Sequence, residues 1–344
     1  MVERSYPMRA AVWYGDGKIK LEKRDKPSLK EGEVLIKVRA CGICGTDLMI
    51  YNGKFPRSHP PLIPGHEFSG EVTAIRDAHS NLKIGDRVVV NPLLFCGRCT
   101  ACKRGFTNAC PKLGLIGVDI DGAFAEYVKA SSEKVLRIPS DFPFDVAALV
   151  EPVAVAFHAV RISACEVGDS ILVLGAGPIG ILIAMIARIA GASEVILAEV
   201  SRYRLDFAEK LGFSVIDSTR DDPVQKIHSI TKGEGVDLVF DTAAVPQMAG
   251  KLIALTRPKG KIIIVGLYKQ LAKIDLLNMI FKEAHLQGSR VYTEVDFEKA
   301  VKLVTSEKLK VDSLLTNQLH LGEAIEGIGL LEKGEDVMKI ILSP

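Results

Sequence analysis

Four of the chain's seven cysteines lie within fifteen residues, in the segment CGRCTACKRGFTNAC at 96–110. Two residues separate each of the first three cysteines and seven separate the last two, so short turns can bring four sulfurs around one ion. Four thiolates suit a closed tetrahedral zinc site, which leaves no position for a reactant. Repeated C-x-x-C spacing also occurs around iron–sulfur clusters, so a cluster is the alternative. We expect a structural zinc that stabilises a lobe of about residues 91–115 and is bound by Cys96, Cys99, Cys102 and Cys110.

A second set of metal-binding side chains lies in CGICGTDL at 41–48 and PGHEFSGEV at 64–72. Cys44, His66 and Glu67 offer sulfur, nitrogen and oxygen ligands, a set that zinc accepts where it takes part in a reaction. The thiolate and the carboxylate would nearly neutralise the ion. These residues therefore predict a second zinc site with a catalytic role.

Other side chains near these motifs leave two interpretations open. Glu151, in LVEPVAVAFHAV, is a carboxylate among apolar residues, where a charge is costly unless it is paired or bound to a metal. Cys41 is expected to be a small buried residue, with a Cys41–Cys44 redox pair as the alternative. His158 lies in an apolar helix, and this setting favours a position in the core over a role as a metal ligand. His59, in FPRSHPPLIPG, favours an exposed loop over a substrate pocket.

The segment GAGPIG at 175–180 fits G-x-G-x-x-G, and it follows an apolar strand and opens an apolar helix, as a dinucleotide site requires. Gly175 permits the tight turn, Gly177 lets the backbone approach a pyrophosphate, and Gly180 lets helix and strand pack closely. The free N–H groups of the helix N-terminus would face the phosphates. The expected cofactor-binding residues in this loop are Gly175, Gly177, Pro178, Ile179 and Gly180.

Glu199 ends the next strand, EVILAEV, nineteen residues after Gly180. An acid at this position can accept both ribose hydroxyls of NAD and repels a 2′-phosphate. Arg202 and Arg204 follow closely and could bind such a phosphate, so NADP is the alternative to NAD. The crevice should also be bordered by Asp241 to Ala243 and by Val265, Gly266 and Leu267.

The elements that must position these side chains follow two patterns. The first 140 residues are rich in predicted strands, such as EVLIKVRA, GEVTAIRD and DRVVVNP, with Gly, Pro and Asp between them. From about residue 150, strands alternate with helices, a pattern typical of a doubly wound parallel sheet. The fold class is therefore α/β, with a β-rich domain and a parallel-sheet domain.

Length and composition exclude several classes of protein. The chain has 344 residues, which indicates about two domains, and 48% of them are hydrophobic, enough for two cores. A formal net charge of +2 predicts no binding to nucleic acid or to an acidic membrane surface. The sequence shows no run of eighteen apolar residues, and the start, MVERSYPMRAAVWYG, lacks the apolar region of a signal peptide. We expect a cytoplasmic protein, in a compartment where disulfides are rare.

The chain resembles the zinc-dependent medium-chain alcohol dehydrogenase family over nearly its whole length. The resemblance rests on GICGTD, GHEFSGEV, GDRVVV, the four-cysteine lobe, EPVAVAFHAV and GAGPIG. Within the family, CGTD, GHE and EP are most similar to the polyol (sorbitol) and threonine dehydrogenase branch. The resemblance implies a GroES-like catalytic domain of residues 1–150 and 286–344 and a Rossmann domain of residues 151–285. It also implies a homo-oligomer, either a tetramer or a dimer.

The resemblance assigns roles to individual residues. Cys44 matches the catalytic zinc ligand, His66 and Glu67 match the other ligands, and Glu151 matches a carboxylate on or near the zinc. Thr46 matches the hydroxyl that accepts the substrate's proton. One position departs from the pattern: the sorbitol and threonine types usually carry His five residues after that Cys, and this chain has Met49.

The expected function is oxidation of a secondary alcohol, a polyol or a sugar-derived alcohol, to a ketone with NAD as hydride acceptor. The expected cofactors are NAD and two zinc ions per chain, one catalytic and one structural. Threonine and 2,3-butanediol are the alternative substrates, and Met49 disfavours threonine. A non-catalytic binding protein with a zinc lobe is the alternative from another class.

Overall fold

The computed structural model describes residues 7–306, 308–334 and 336–344. No signal peptide is expected at the start of the chain, MVERSYPMRAAVWYG. Residues 1–6 of that segment lie outside the described residues. The chain forms two compact units, one of Met1–Glu151 with Thr293–Pro344 and one of Pro152–Tyr292.

The first unit, here called the β-rich unit, is built mainly of antiparallel strands. Its strands are β1 (Pro7–Trp13), β2 (Ile19–Asp25), β3 (Glu33–Ile43), β4 (Glu67–Arg76), β5 (Arg87–Val90), β6 (Leu93–Leu94), β7 (Gly114–Leu115), β8 (Tyr127–Ser131), β9 (Val135–Arg137), β16 (Leu315–His320) and β17 (Lys339–Ser343). The main sheet has the order β16-β17-β3-β4-β5-β9, and β8 also pairs with β3. The segment EVLIKVRA forms the predicted strand. Alternate residues of β3, among them Val34, Ile36 and Val38, are buried, so one face of this strand packs into the core.

A turn at Gly-Asp-Gly, residues 15–17, joins β1 to β2, which pair antiparallel. Gly15, Asp16 and Gly17 all have positive φ angles, a region that glycine enters without steric cost. The helices of the β-rich unit are α1 (Gly45–Tyr51), α2 (Thr100–Lys103), α3 (Phe144–Ala147), α4 (Val150–Ser163), α11 (Glu294–Thr305) and α12 (Ala324–Lys333), of which α4 continues into the second unit.

One helical segment, Phe144–Ser163, is long and apolar enough to cross a membrane by length and composition alone. Because 72% of its most apolar window is buried inside the protein, the segment is packed as a core helix is.

The second unit, here called the parallel-sheet unit, alternates strands with helices. Its strands are β10 (Ser170–Leu174), β11 (Glu194–Glu199), β12 (Ser214–Asp217), β13 (Val236–Asp241), β14 (Thr256–Ile264) and β15 (His285–Gly288). Its helices are α5 (Pro178–Ala190), α6 (Arg202–Lys210), α7 (Pro223–Ile230), α8 (Pro246–Ala249), α9 (Leu252–Leu255) and α10 (Leu276–Lys282).

All neighbouring strands of this unit are parallel, in the order β12-β11-β10-β13-β14-β15. This is the Rossmann order, with its switch point between β10 and β13. The sequence analysis placed the end of this domain at residue 285, whereas the structure places it after Tyr292. The difference arises because β15 pairs with β14 and so completes the sheet. The expected α/β fold class, with a GroES-like and a Rossmann part, is confirmed.

The turn between β10 and α5 depends on close packing at Gly180. A Cβ atom at this position would lie 2.0 Å from the carbonyl oxygen of Gly175. Gly175 itself has a φ of +96°, so the loop between the two glycines tolerates side chains at neither end.

We predict that Gly180→Ala lowers the free energy of unfolding by about 1–3 kcal/mol, because the added methyl group overpacks the turn. Gly329→Ala is the matched control: it lies in α12, and no heavy atom lies within 4 Å of its added Cβ. That variant should be neutral or stabilising by up to about 1 kcal/mol. Urea unfolding of both variants checks this, and equal effects would contradict the packing role.

Candidate active site

The four cysteines of the lobe converge as the sequence predicted. Their sulfur atoms all lie within 4.8 Å of one another. The measured separations are 3.4 Å for Cys99–Cys102, 3.9 Å for Cys99–Cys110 and 3.6 Å for Cys96–Cys110. A tetrahedral site with zinc–sulfur bonds of about 2.3 Å has its sulfurs about 3.8 Å apart. The donor set and its spacing therefore fit one zinc ion, and all four thiols are free of disulfides.

The lobe treats its thiols differently: burial and the neighbouring thiols of Cys99 and Cys110 raise the pKa of Cys102 to about 12, whereas the backbone favours the thiolate of Cys96. Gly97 and Gly105 have positive φ angles, which make the turns between the cysteines. Cys99 precedes α2 and its sulfur accepts a hydrogen bond from the N–H of Cys102 at 3.4 Å. The backbone N–H groups of Arg98 and Cys99 lower the pKa of the Cys96 thiol to about 6, and deprotonated sulfur is the form that binds metals.

The second group of metal-binding side chains lies where β3 ends and β4 begins. Cys44 follows β3 and caps α1, His66 precedes β4, and Glu67 is the first residue of β4. One ligand atom from each of the three lies within 4.8 Å of the other two. His66 and Glu67 are 4% and 1% exposed. The pairing of β3 with β4, which sets Gly42 opposite Glu67, brings these residues together from positions more than twenty apart in sequence.

Glu151 and Thr46 have different places around this group. Glu151 is buried near the start of α4 but is not a member of the 4.8 Å group. Its role as a direct zinc ligand stays a prediction. Thr46 is half-buried in α1, two residues after Cys44, and Met49 is half-buried one turn later. Both therefore belong to the helix that Cys44 begins.

Asp47 is a site residue that the sequence analysis missed. It is 1% exposed, and its Oδ2 accepts a hydrogen bond from the Cys44 backbone N–H at 2.8 Å. Its Oδ1 lies 3.6 Å from Nδ1 of His66, which is too far for a hydrogen bond, and neither atom has a hydrogen-bond partner among the described residues. Burial lowers the pKa of His66, but Asp47 and Cys44 together outweigh it and raise that pKa well above the usual value. Asp47 thus faces Nδ1 and leaves Nε2 of His66 for an ion, as carboxylates behind metal-binding histidines do.

Lys339 is the second residue that was missed. It lies on β17, is 3% exposed, and its Nζ donates to Oε2 of Glu67 at 2.5 Å. Burial lowers its pKa, but the charges of Glu67 and Cys44 outweigh this and raise the pKa above its ordinary value. Lys339 is therefore an ammonium ion beside the metal-binding group.

Three further histidines and cysteines lie outside the metal-binding groups, in the positions that the sequence predicted. Cys41 is buried in β3 and is not a member of either group. His158 is buried in α4, and His59 is exposed in the loop after α1. No disulfide joins Cys41 to Cys44.

The nucleotide loop lies at the carboxyl end of β10, beside the switch point of the sheet. Gly177 caps α5 without a side-chain hydrogen bond, and a Cβ there would meet nothing closer than 3.8 Å. The first N–H groups of α5 are thus free of a side-chain cap and suit a pyrophosphate. After β14, the N–H groups of Val265 and Gly266 bond to the carbonyl of Asp241, and Leu267 is exposed.

Glu199 is buried at the end of β11, against this loop. Oε2 accepts from the N–H of Ala176 at 2.9 Å, and Oε1 accepts from those of Val200 and Ser201 at 2.7 and 3.1 Å. Nη1 of Arg204 lies 3.8 Å from Oε2. Since a carboxylate offers about four acceptor positions, about one remains for a ribose hydroxyl rather than the expected two.

The parallel sheet with its glycine loop and the two metal-binding groups define the class as a zinc-containing, nucleotide-dependent dehydrogenase. Residues 30–140 match the family model of the alcohol dehydrogenase GroES-like domain, and residues 178–306 match that of the zinc-binding dehydrogenases. The chain belongs to the zinc-dependent medium-chain alcohol dehydrogenase family. It is an oxidoreductase that uses zinc and a nicotinamide cofactor.

Similar proteins cover the chain almost end to end. A (R,R)-butanediol dehydrogenase of Bacillus subtilis is 34% identical over 98% of this chain and 100% of its own. A sorbitol dehydrogenase of the same organism is 34% identical over 98% and 97%. A structure described as a zinc-binding dehydrogenase from Sinorhizobium meliloti, bound to NADP, has a TM-score of 0.92 and 31% identity over 98% and 100%.

We predict that the intact chain holds two zinc ions, and that Cys99→Ser and Cys44→Ser each remove one. Loss of the lobe's ion in Cys99→Ser should lower the thermal unfolding midpoint sharply, since structural zinc contributes on the order of 10 kcal/mol in small zinc peptides. Cys44→Ser should abolish turnover and keep the fold. Cys165→Ser, outside both groups, is the control and should keep both ions. Metal analysis with thermal unfolding checks this, and a full zinc content in Cys99→Ser would contradict it.

Proposed function

We propose that the chain oxidises a secondary alcohol to a ketone with NAD as the hydride acceptor, and that its substrate is a polyol, a sugar-derived alcohol or a diol. The observation that carries the proposal is the convergence of Cys44, His66 and Glu67, with Asp47 behind His66. One sulfur, one nitrogen and one oxygen ligand leave the fourth position of a zinc ion open to a reactant.

Each group at the site would have its own role in the oxidation. Zinc bound here would act as a Lewis acid that lowers the pKa of the substrate hydroxyl, and NAD would accept the hydride. Asp47 fixes the ring of His66 and the N–H of Cys44. Thr46 accepts the proton of the substrate hydroxyl and passes its own proton outward. The sum is alcohol and NAD⁺ giving ketone, NADH and one proton.

A small diol is the second candidate substrate. Met49 occupies the position where a histidine could hydrogen-bond further hydroxyls, and a thioether is at most a weak acceptor. An apolar side chain there favours a short diol with methyl groups, of which 2,3-butanediol is the simplest example. The similarity to a butanediol dehydrogenase supports this candidate. Initial rates over polyols, sugar-derived alcohols, threonine and diols rank the candidates.

We predict that Thr46→Val lowers turnover by about 10²–10⁴-fold, because the hydroxyl that accepts the proton is lost. Thr46→Ser keeps a hydroxyl and is the matched control. Zinc content should be unchanged in both, since Thr46 is no member of the ligand group. A Thr46→Val enzyme with full zinc and near-normal turnover would show that the proton leaves by another route.

The cofactor preference is proposed from the charge of Glu199. Its buried carboxylate repels an added 2′-phosphate, and the half-buried Arg204 attracts one. Because Arg204 is already paired with Glu199, we propose that NAD is preferred to NADP.

We predict that Glu199→Gln lowers the ratio of kcat/KM for NAD to that for NADP by tens-fold, because the charge that repels a 2′-phosphate is lost together with one hydrogen bond to a charged group, which contributes about 1.5–3 kcal/mol. Arg204→Gln should move the ratio in the opposite direction. Equal efficiencies with both cofactors in the unmodified enzyme would show that Arg204 outweighs Glu199.

We propose a cytoplasmic location from the state of the cysteines, and the net charge bears on the choice of partners. None of the seven cysteines forms a disulfide, and the metal-binding groups need thiolates, which a cytoplasmic location preserves. With a net charge of +2, no nucleic-acid or membrane partner is proposed.

We also propose a homo-oligomer, a dimer or a tetramer. Four apolar side chains of α10 are exposed beside β15, an edge strand of the parallel sheet, and a second copy would cover them: Leu276, Leu277, Ile280 and Phe281. The mass in solution tests this, and a mass of one chain would contradict it.

A further inference from the structure

We propose that Lys339 is a positioning residue that holds one oxygen of Glu67, so that this carboxylate reaches the zinc through its other oxygen and gives it only part of its charge. The inference rests on the proposed zinc site of Cys44, His66 and Glu67. No pattern around Lys339 in the sequence indicates this role.

The lysine is held in place from two sides. Ile340 of β17 pairs with Ile43 of β3, which sets Lys339 beside the end of β3. Its Nζ lies 2.5 Å from Oε2 of Glu67 and 3.3 Å from the carbonyl oxygen of Ile43. Both Lys339 and Glu67 are buried, with 3% and 1% exposure. The ammonium group therefore replaces the water that would otherwise hydrate this carboxylate.

The backbone opposite keeps space for this arrangement. A Cβ atom on Gly42 would lie 2.3 Å from Oε2 of Glu67 and 3.3 Å from its Cβ. Gly42 pairs with Glu67 across β3 and β4, and its φ is not in the left-handed region, so backbone conformation does not require glycine here. The requirement is room for the carboxylate, in the orientation that Lys339 holds.

Charge decides what the pair does to the metal. The thiolate of Cys44 and the carboxylate of Glu67 alone would neutralise a divalent ion, as the sequence analysis expected. Lys339 adds a positive charge in the same buried space, and the buried carboxylate of Asp47 offsets it, so the ion and these side chains together stay close to neutral. The ammonium group repels the cation and competes for Glu67, which weakens zinc binding.

The test compares Lys339→Gln and Lys339→Arg with the unmodified enzyme. Glutamine keeps N–H groups for Ile43 and Glu67 but removes the charge, whereas arginine keeps the charge. The dissociation constant is measured by chelator competition for the zinc equivalent whose loss parallels the loss of activity. The absorption bands of the cobalt-substituted enzyme report the coordination at the same site.

We expect Lys339→Gln to bind this zinc about 10–100-fold more tightly, because the repelling charge is gone, and to shift the cobalt bands; loss of a partner that supports a metal ligand changes affinity by a similar factor in the opposite direction. Lys339→Arg should stay within about threefold of the unmodified enzyme, because the charge is kept. Lys134→Gln is the matched control: Lys134 is also buried and lies 2.5 Å from Glu294, but neither belongs to the ligand group. It should leave this zinc affinity unchanged.

Each other outcome is decisive. Unchanged or weaker zinc binding in Lys339→Gln, or unchanged cobalt bands, would overturn the proposal and leave the lysine a link between β17 and β3. Failure of that variant to fold even with zinc present throughout would overturn it too, whereas folding only with zinc would support it. If the unmodified enzyme binds zinc in the cysteine lobe alone, the proposed zinc site of Cys44, His66 and Glu67 is wrong. That result differs from failure of the positioning role of Lys339, in which the site binds zinc but Lys339→Gln has no effect.

Discussion

The balance of buried charges around the metal-binding group of the β-rich unit constrains the whole candidate site. Asp47, Glu67 and Lys339 are 1%, 1% and 3% exposed, and an isolated buried charge costs many kcal/mol unless it is paired. Lys339 pairs with Glu67, whereas Oδ1 of Asp47 has no closer partner than His66. The geometry of the ligands follows from this balance, because each side chain is held by the one that compensates its charge.

The backbone makes this balance possible. Three neighbouring strands, β17, β3 and β4, supply the lysine, the turn to Cys44 and the carboxylate, and their register fixes which side chains meet. Gly42 leaves the carboxylate its space, and the N–H of Cys44 is occupied by Asp47. A shift of register by one residue would turn Glu67 to the other face of the sheet, so the metal site depends on the pairing of the whole sheet.

How much the sequence could predict depends on how local each feature is. The four-cysteine lobe and the glycine loop are short segments whose spacing carries their geometry, and both were predicted. Lys339 was not, because its partner Glu67 lies 272 positions away and only strand pairing joins them. Asp47 had a local signal, an acid three residues after Cys44 at the start of a helix, which the capping-box pattern could have identified.

Glu199 shows a subtler limit of sequence reasoning. Its position at the end of β11 was predicted from the spacing to Gly180, but the number of hydrogen bonds it can give a ribose was not. Three backbone N–H groups, of Ala176, Val200 and Ser201, already use its oxygens. These bonds hold the carboxylate rigidly at the glycine loop and leave its charge in place. Discrimination against a 2′-phosphate must then come mainly from electrostatic repulsion, which Arg204 partly offsets at 3.8 Å.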